Sequence, residues 1–171
     1  MKSILVILMF LSQAFASINN INTFEADFTQ TITDEKNTVL AYGGHMLASK
    51  PQNVRWNYLK PVKKDIYISK FEVTIVEPEI EQVIFRKIES DFNFFRMIAN
   101  AKEINKNTYE ANYKNSKFKI TKNGELIESI SYVDEFENRV KIIFKNQKQN
   151  QKINESIFTP SYPLSFDIIR D

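Results

Sequence analysis

The chain has 171 residues, enough for one domain with a sizeable core. It contains no cysteine, which excludes a disulfide scaffold, a thiolate metal site and a cysteine nucleophile. The 23 Lys and Arg nearly balance the 21 Asp and Glu, which argues against a nucleic-acid binder, whose basic excess gathers on one face. The first element is a leader: Met1-Lys2-Ser3 is followed by an apolar run from Ile4 to Leu11, then by Ala14-Phe15-Ala16, a small-x-small cleavage pattern. Residues 1–16 therefore read as a signal peptide cut after Ala16, and 17–171 as a single exported domain. The apolar run falls short of the about 20 residues a mature membrane helix needs, so the mature chain is expected to be soluble. No cysteine follows the leader to carry a lipid anchor.

Strands come next. Phe24, Ala26 and Phe28 alternate with Glu25, Asp27 and Thr29, and Val54, Trp56 and Tyr58 alternate with Arg55 and Asn57. Period-two alternation marks a half-buried strand. Pro51 and Pro61 bracket the second run, where a missing N–H is tolerated. Similar stretches recur at roughly 38–48, 65–69, 72–77, 82–88, 108–114, 116–122, 126–133, 139–146 and 164–169. Glu77 to Gln82 reads as a hairpin turn, and Asn123-Gly124 predicts a type I′ turn. Regular short strands with turns between them indicate an antiparallel sandwich or barrel. Fourteen Phe and seven Tyr beside only three Gly suit long strands around an apolar volume.

One segment changes period. From Ser90 to Ala101, Phe92, Phe95, Ile98 and Ala99 fall on one helical stripe, with Ser90 as N-cap and Asp91 in the first turn. Phe94, Met97 and Ala101 widen that face, so the helix reads either as core or as a cover that exchanges sheet for ligand. A second helical turn is expected at Asn154 to Ile157. Farther back, Arg139, Lys141, Lys145, Lys148 and Lys152 alternate with Val140, Ile142 and Phe144. An exposed strand face accounts for them, with attraction to anionic headgroups as the rival reading.

No reaction centre emerges. The single histidine, His45, sits beside two glycines on a strand and reads as an ordinary sheet position. No nucleophile elbow, metalloprotease helix or phosphate loop occurs. Glu77, Glu79 and Glu81 read as a solvated hairpin tip. The chain is thus read as a non-enzyme with no metal and no cofactor.

The runs Phe24-Glu25-Ala26-Asp27-Phe28-Thr29-Gln30 and Lys50-Pro51-Gln52-Asn53-Val54-Arg55-Trp56-Asn57-Tyr58 to Pro61 together resemble the LolA family, the periplasmic carriers of outer-membrane lipoproteins. That resemblance implies a mainly β fold with short helices (α+β), an incompletely closed antiparallel β-barrel covered by a helical lid. It implies a periplasmic chaperone that shields lipoprotein acyl chains in an apolar cavity, loaded by an inner-membrane ABC-type transporter and emptied at the outer membrane, with or without a receptor there. The chain reads as a monomer. Phe28, Trp56, Tyr58, Phe92, Phe95, Met97 and Ile98 are the residues expected on the lipid-binding face. Family members place an arginine before the first proline to latch the lid. Here Lys50 stands there, lacking the planar guanidinium fork, and Arg55 is the second latch candidate. The family's helix before the first strand has room here for only a few residues after Ala16. A regulatory or sensor module on the same fold is the alternative function.

Overall fold

The computed structural model describes residues 20–87, 93–113 and 116–170. The expected signal peptide, the start at Ser17, and Ser90, Asp91 and Phe92 lie outside these residues.

The chain opens with β1 (Thr23–Thr33), β2 (Val39–Ser49), β3 (Asn53–Lys60), β4 (Lys64–Ile68), β5 (Glu72–Glu77) and β6 (Gln82–Lys87). After a short helix α1 (Phe94–Ala99) come β7 (Lys102–Asn105), β8 (Thr108–Tyr113), β9 (Ser116–Asn123), β10 (Leu126–Val133), β11 (Arg139–Gln149) and β12 (Asp167–Arg170). Among the described residues these form one sheet in the order β12-β6-β5-β4-β3-β2-β1-β11-β10-β9-β8-β7. Alternation decides which side of each strand is buried. Phe24, Ala26, Phe28 and Gln30 go in while Asp27 and Thr29 face out, and Val140, Ile142 and Phe144 go in while Arg139, Lys141 and Lys145 face out. The buried sides of β1–β3 and β8–β11 meet in one core cluster, into which α1 inserts Phe94, Phe95, Met97 and Ile98. The sheet therefore curls about its centre, where β1 pairs with both β2 and β11.

The expected incompletely closed barrel is, among the described residues, one open sheet. Its two edges, β7 and β12, are four residues each, exposed throughout, and stand at opposite ends of the strand order without pairing to each other. The sheet is also not wholly antiparallel, because β12 runs parallel to β6. β7 escapes the sequence pattern because Lys102-Glu103-Ile104-Asn105 buries neither face. It is held by β8 through a two-residue turn in which Asn107 takes a φ of 60°. The turn at Asn123-Gly124 is shifted by one residue. Asn123 pairs with Leu126, so the loop is Gly124-Glu125, and Gly124 alone has positive φ, at 59°. One positive φ at the first loop position is the II′ pattern, whereas I′ needs two.

Helix α1 is shorter than expected. It starts after Asn93, whose side chain accepts from the Arg96 N–H at 3.0 Å, so Asn93 and not Ser90 is the cap. Ala99 is exposed, and the buried stripe is Phe94, Phe95, Met97 and Ile98. A helical cover broader than this short helix is not part of the described structure. The turn expected at Asn154 is present as a 3-10 helix, Glu155–Phe158, capped by the Asn154 side chain on Ser156 N–H. That segment crosses the outer face of the sheet. Glu155 accepts from Ser49 Oγ at 3.0 Å and from Asn53 Nδ2 at 3.2 Å. Farther on, Tyr162 and Phe166 seal the outer side of β4–β6 against Tyr67, Val76 and Val83.

Candidate apolar binding site

A cavity of about 420 Å3 lies between the inner faces of β3–β4, of β9–β11, and α1. β3 supplies Val54, Trp56 and Tyr58 because residues two apart share a face of a strand. β4 adds Ile66 and Ile68, α1 adds Phe94 and Met97, and Phe118, Ile130, Tyr132 and Ile142 close the far wall. Ser116, Asp134 and Glu135 are the polar groups of its rim. Apolar pockets of this volume with few polar groups hold small ligands by burial more than by hydrogen bonding.

An aromatic cluster stiffens one wall. The Phe28 ring meets Trp56 edge-on at 4.8 Å and Tyr58 at 5.0 Å, and Tyr42 meets Tyr58 at 5.9 Å. Such pairs contribute about 0.5–1.5 kcal/mol each beyond their burial. Within the wall, Tyr58 Oη donates to Gln30 Oε1 at 2.8 Å, in a buried bond. Burial pushes the Tyr58 phenol far above its ordinary range, with Tyr132 and Tyr42 adding to the shift, so it stays a neutral donor. The wall thus offers a ligand rings and methyl groups, with its one deep polar pair already satisfied.

Trp56, Tyr58 and Met97 line the cavity; Phe28 stands behind them, 4% exposed. Phe95 and Ile98 are buried beside it in the core cluster. Phe92 lies outside the described residues. Sequence reasoning missed Ile66, Ile68, Phe94, Phe118 and Tyr132. The alternation of β4 made Ile66 and Ile68 visible as apolar, but only the β3–β4 register sets Ile66 opposite Trp56 and Ile68 opposite Val54.

The two latch candidates part company. Lys50 Nζ donates to Asn22 Oδ1 at 3.0 Å and lies 6.0 Å from the centre of the Phe95 ring. Arg55 is on the outer face, its guanidinium on Asp65 at 2.9 Å and over the Tyr67 ring at 5.2 Å. The tie to α1 that the sequence did not reveal is Asn93, whose Nδ2 donates to the Pro51 carbonyl at 2.7 Å while its Oδ1 caps the helix. An Asn ahead of an apolar run was the available signal.

His45 occupies the outer face between two carboxylates, with Nδ1 at 2.8 Å from Asp27 Oδ1 and Nε2 at 3.6 Å from Glu25 Oε1. Hydrogen bonds from Asn146 and then His45 hold the Asp27 carboxyl below its usual range. Lys148 completes the group on Glu25 at 3.0 Å. The two imidazole nitrogens face different acids, so the cluster braces β1, β2 and β11 across the sheet.

One open sheet curled around an apolar cavity defines an apolar-ligand-binding protein. Comparison narrows the class. The family model described as outer membrane lipoprotein carrier protein LolA matches residues 19–108 and 87–161, and the chain belongs to this family. It is 44% identical over 169 residues to the outer-membrane lipoprotein carrier protein of Campylobacter jejuni, covering 99% of each chain. It is 30% identical over 172 residues to the protein of the same name from Wolinella succinogenes, again covering 99% of each. Its fold is similar to that of an uncharacterized conserved protein from Thermus thermophilus, with a TM-score of 0.56 at 14% identity over 90% of this chain and 93% of that one. Among the described residues, no helix is long and apolar enough to cross a membrane.

Proposed function

We infer that the protein is a lipoprotein carrier, a non-enzymatic chaperone that takes acyl chains out of water into the cavity beside Trp56. The observation that carries this reading is the lining: aromatic and aliphatic side chains from three parts of the fold, with the one deep polar pair, Tyr58 and Gln30, bonded to each other. The physical need is plain. Each methylene left in water costs about 0.8 kcal/mol, so an acylated protein does not cross an aqueous compartment unaided. The full-length likeness to proteins named as carriers supports this function over a regulatory module on the same fold.

The rest of the route is part of the proposal. The leader directs export and is cut after Ala16, and residues 17–171 work as one periplasmic domain. An inner-membrane ABC-type transporter loads it and the outer membrane receives the cargo. Helix α1 acts as the lid, held by Asn93 on Pro51 and by Lys50 against Phe95, and it slides from the sheet onto the acyl chain when cargo enters.

The chain's single tryptophan is Trp56, so its emission reports on this cavity alone. Titrating the mature protein with a tryptophan-free acylated peptide should shift that emission to the blue and saturate, unaffected by chelators. The unacylated peptide should leave it unchanged. Equal responses to both peptides, or none to either, would sink the carrier reading.

A further inference from the structure

We propose a second acyl-chain subsite outside the cavity, an apolar track that crosses the inner face of the sheet from Trp56 to the edge strand. It rests on the carrier reading and says where a multiply acylated cargo puts a chain that the cavity does not take. The cavity, about 420 Å3, lies toward the lower end of the roughly 300–1,000 Å3 usual for ligand pockets.

The track is written in the strand register. Trp56 pairs with Ile66, Ile66 with Ile75, Ile75 with Ile84, and Ile84 with Ile169. Partners directly opposite in neighbouring strands point to the same side, so the four isoleucines continue the cavity wall without a break. Four strand spacings of about 4.8 Å make the row ~19 Å long. One leaflet of a bilayer, half of a hydrocarbon core of about 30 Å, sets the length of an acyl chain near ~15 Å. The row is long enough to hold one extended chain.

One border is polar, where Glu77 pairs with Gln82 and Gln82 with Asp167. On the other side Val54, Ile68 and Val73 form a shorter apolar row that ends at Arg86. The back of the same strands is sealed by Tyr162 and Phe166, whereas Ile75, Ile84 and Ile169 belong to neither core cluster among the described residues. Ile75 and Ile84 are half-buried, and Ile169 is 41% exposed. Continuity with the cavity at Ile66, which lines it, makes an acyl chain the occupant of this stripe.

The test uses the mature protein, two tryptophan-free peptides of one sequence carrying either one or three palmitoyl chains, and the Trp56 emission. Ile84→Glu places a carboxylate in the middle of the track. Ile169→Glu does so at the exposed edge, where the fold has least to lose. In both variants the single-chain peptide should bind within about 2-fold of wild type, while the three-chain peptide should weaken at least about 10-fold. A photoreactive acyl chain on the three-chain peptide should also label segments around Ile84 and Ile169. Three-chain affinity unchanged in both variants, or equal weakening for both peptides, would overturn the track and leave the cavity standing. A wild-type protein that bound neither peptide would overturn the carrier reading and the track with it.

Discussion

At Gly44 the β2 backbone passes so close beneath β3 that a side chain has nowhere to go. A Cβ there would overlap the Asn57 carbonyl oxygen and stand 2.9 Å from the Phe28 ring. The crowding coincides with a bulge, since Gly43 pairs with Lys60 but Gly44 with Tyr58. Because Gly44 sits under Phe28, and Phe28 supports Trp56 and Tyr58, the missing side chain sets the position of the cavity wall. Gly43 makes a control one residue away. A Cβ there would meet only Lys60 Cε at 2.8 Å, the movable part of a flexible chain. Gly44→Ala should therefore destabilise by about 3 kcal/mol, the upper end of overpacking effects. In a chain of this size that lowers Tm by roughly 6–12 °C. Gly43→Ala should stay within about 0.5 kcal/mol. Thermal melts of the two proteins decide it, and equal melting points would mean that β3 yields to the intruding methyl.

Helix α1 shows what a single element adds. Six residues are too few to be stable alone, so the helix depends on its cap and on the four side chains it buries. Ile98 is 1% exposed, and Ile98→Asp would bury a carboxylate in the core and disrupt the domain whatever the helix does in the cargo cycle. Asn93 is the more discriminating position, because it is not a member of the core cluster yet fixes both the helix end and its tie to Pro51. Asn93→Ala should cost about 1 kcal/mol, as the loss of a cap does, and lower Tm by a few degrees. If α1 is a lid, the same variant should release an acylated peptide several-fold faster in a stopped-flow chase. Release at the wild-type rate would make α1 ordinary core. The helix was legible as an element because the stripe of Phe92, Phe95, Ile98 and Ala99 breaks the period of two, although among the described residues only Phe95 and Ile98 of it are on the buried face of α1. Its start was not, since Ser90 and Asn93 both satisfy the rule for a cap and only the folded chain, through the Arg96 N–H and the Pro51 carbonyl, selects Asn93.

At the scale of the molecule, the sequence disclosed strands wherever one face meets the core, as with Phe24, Ala26 and Phe28. It hid those that meet nothing, as with β7. The parallel pairing of β12 with β6 was hidden too, because the chain between them spans β7–β11 and carries no local signal of where it returns. The cavity was legible as a surplus of aromatic residues and not as a place, since its walls come from β3, β4, α1 and β9–β11, and only the curl of the open sheet brings them together. That curl has a consequence for loading. The half of the sheet carrying β3 and β4 and the half carrying β9 and β10 touch a ligand from opposite sides, so an acyl chain in the cavity should hold them as one unit. At a free concentration 100 times Kd, a ligand that binds only the folded state adds about 2.7 kcal/mol. For a chain of this length that raises Tm by roughly 5–11 °C. Hydrogen exchange distinguishes the two ways of reaching that gain. If α1 stays in the core beside the ligand, amide protection should rise in β3, β4, β9, β10 and α1 alike. If α1 lifts from the sheet to cover the chain, protection should rise in the strands while α1, with its bond to Pro51 released, exchanges faster than in the empty protein. A raised Tm with no added protection in β9 and β10 would mean that the ligand grips one half only, and that the open sheet does not close on its cargo.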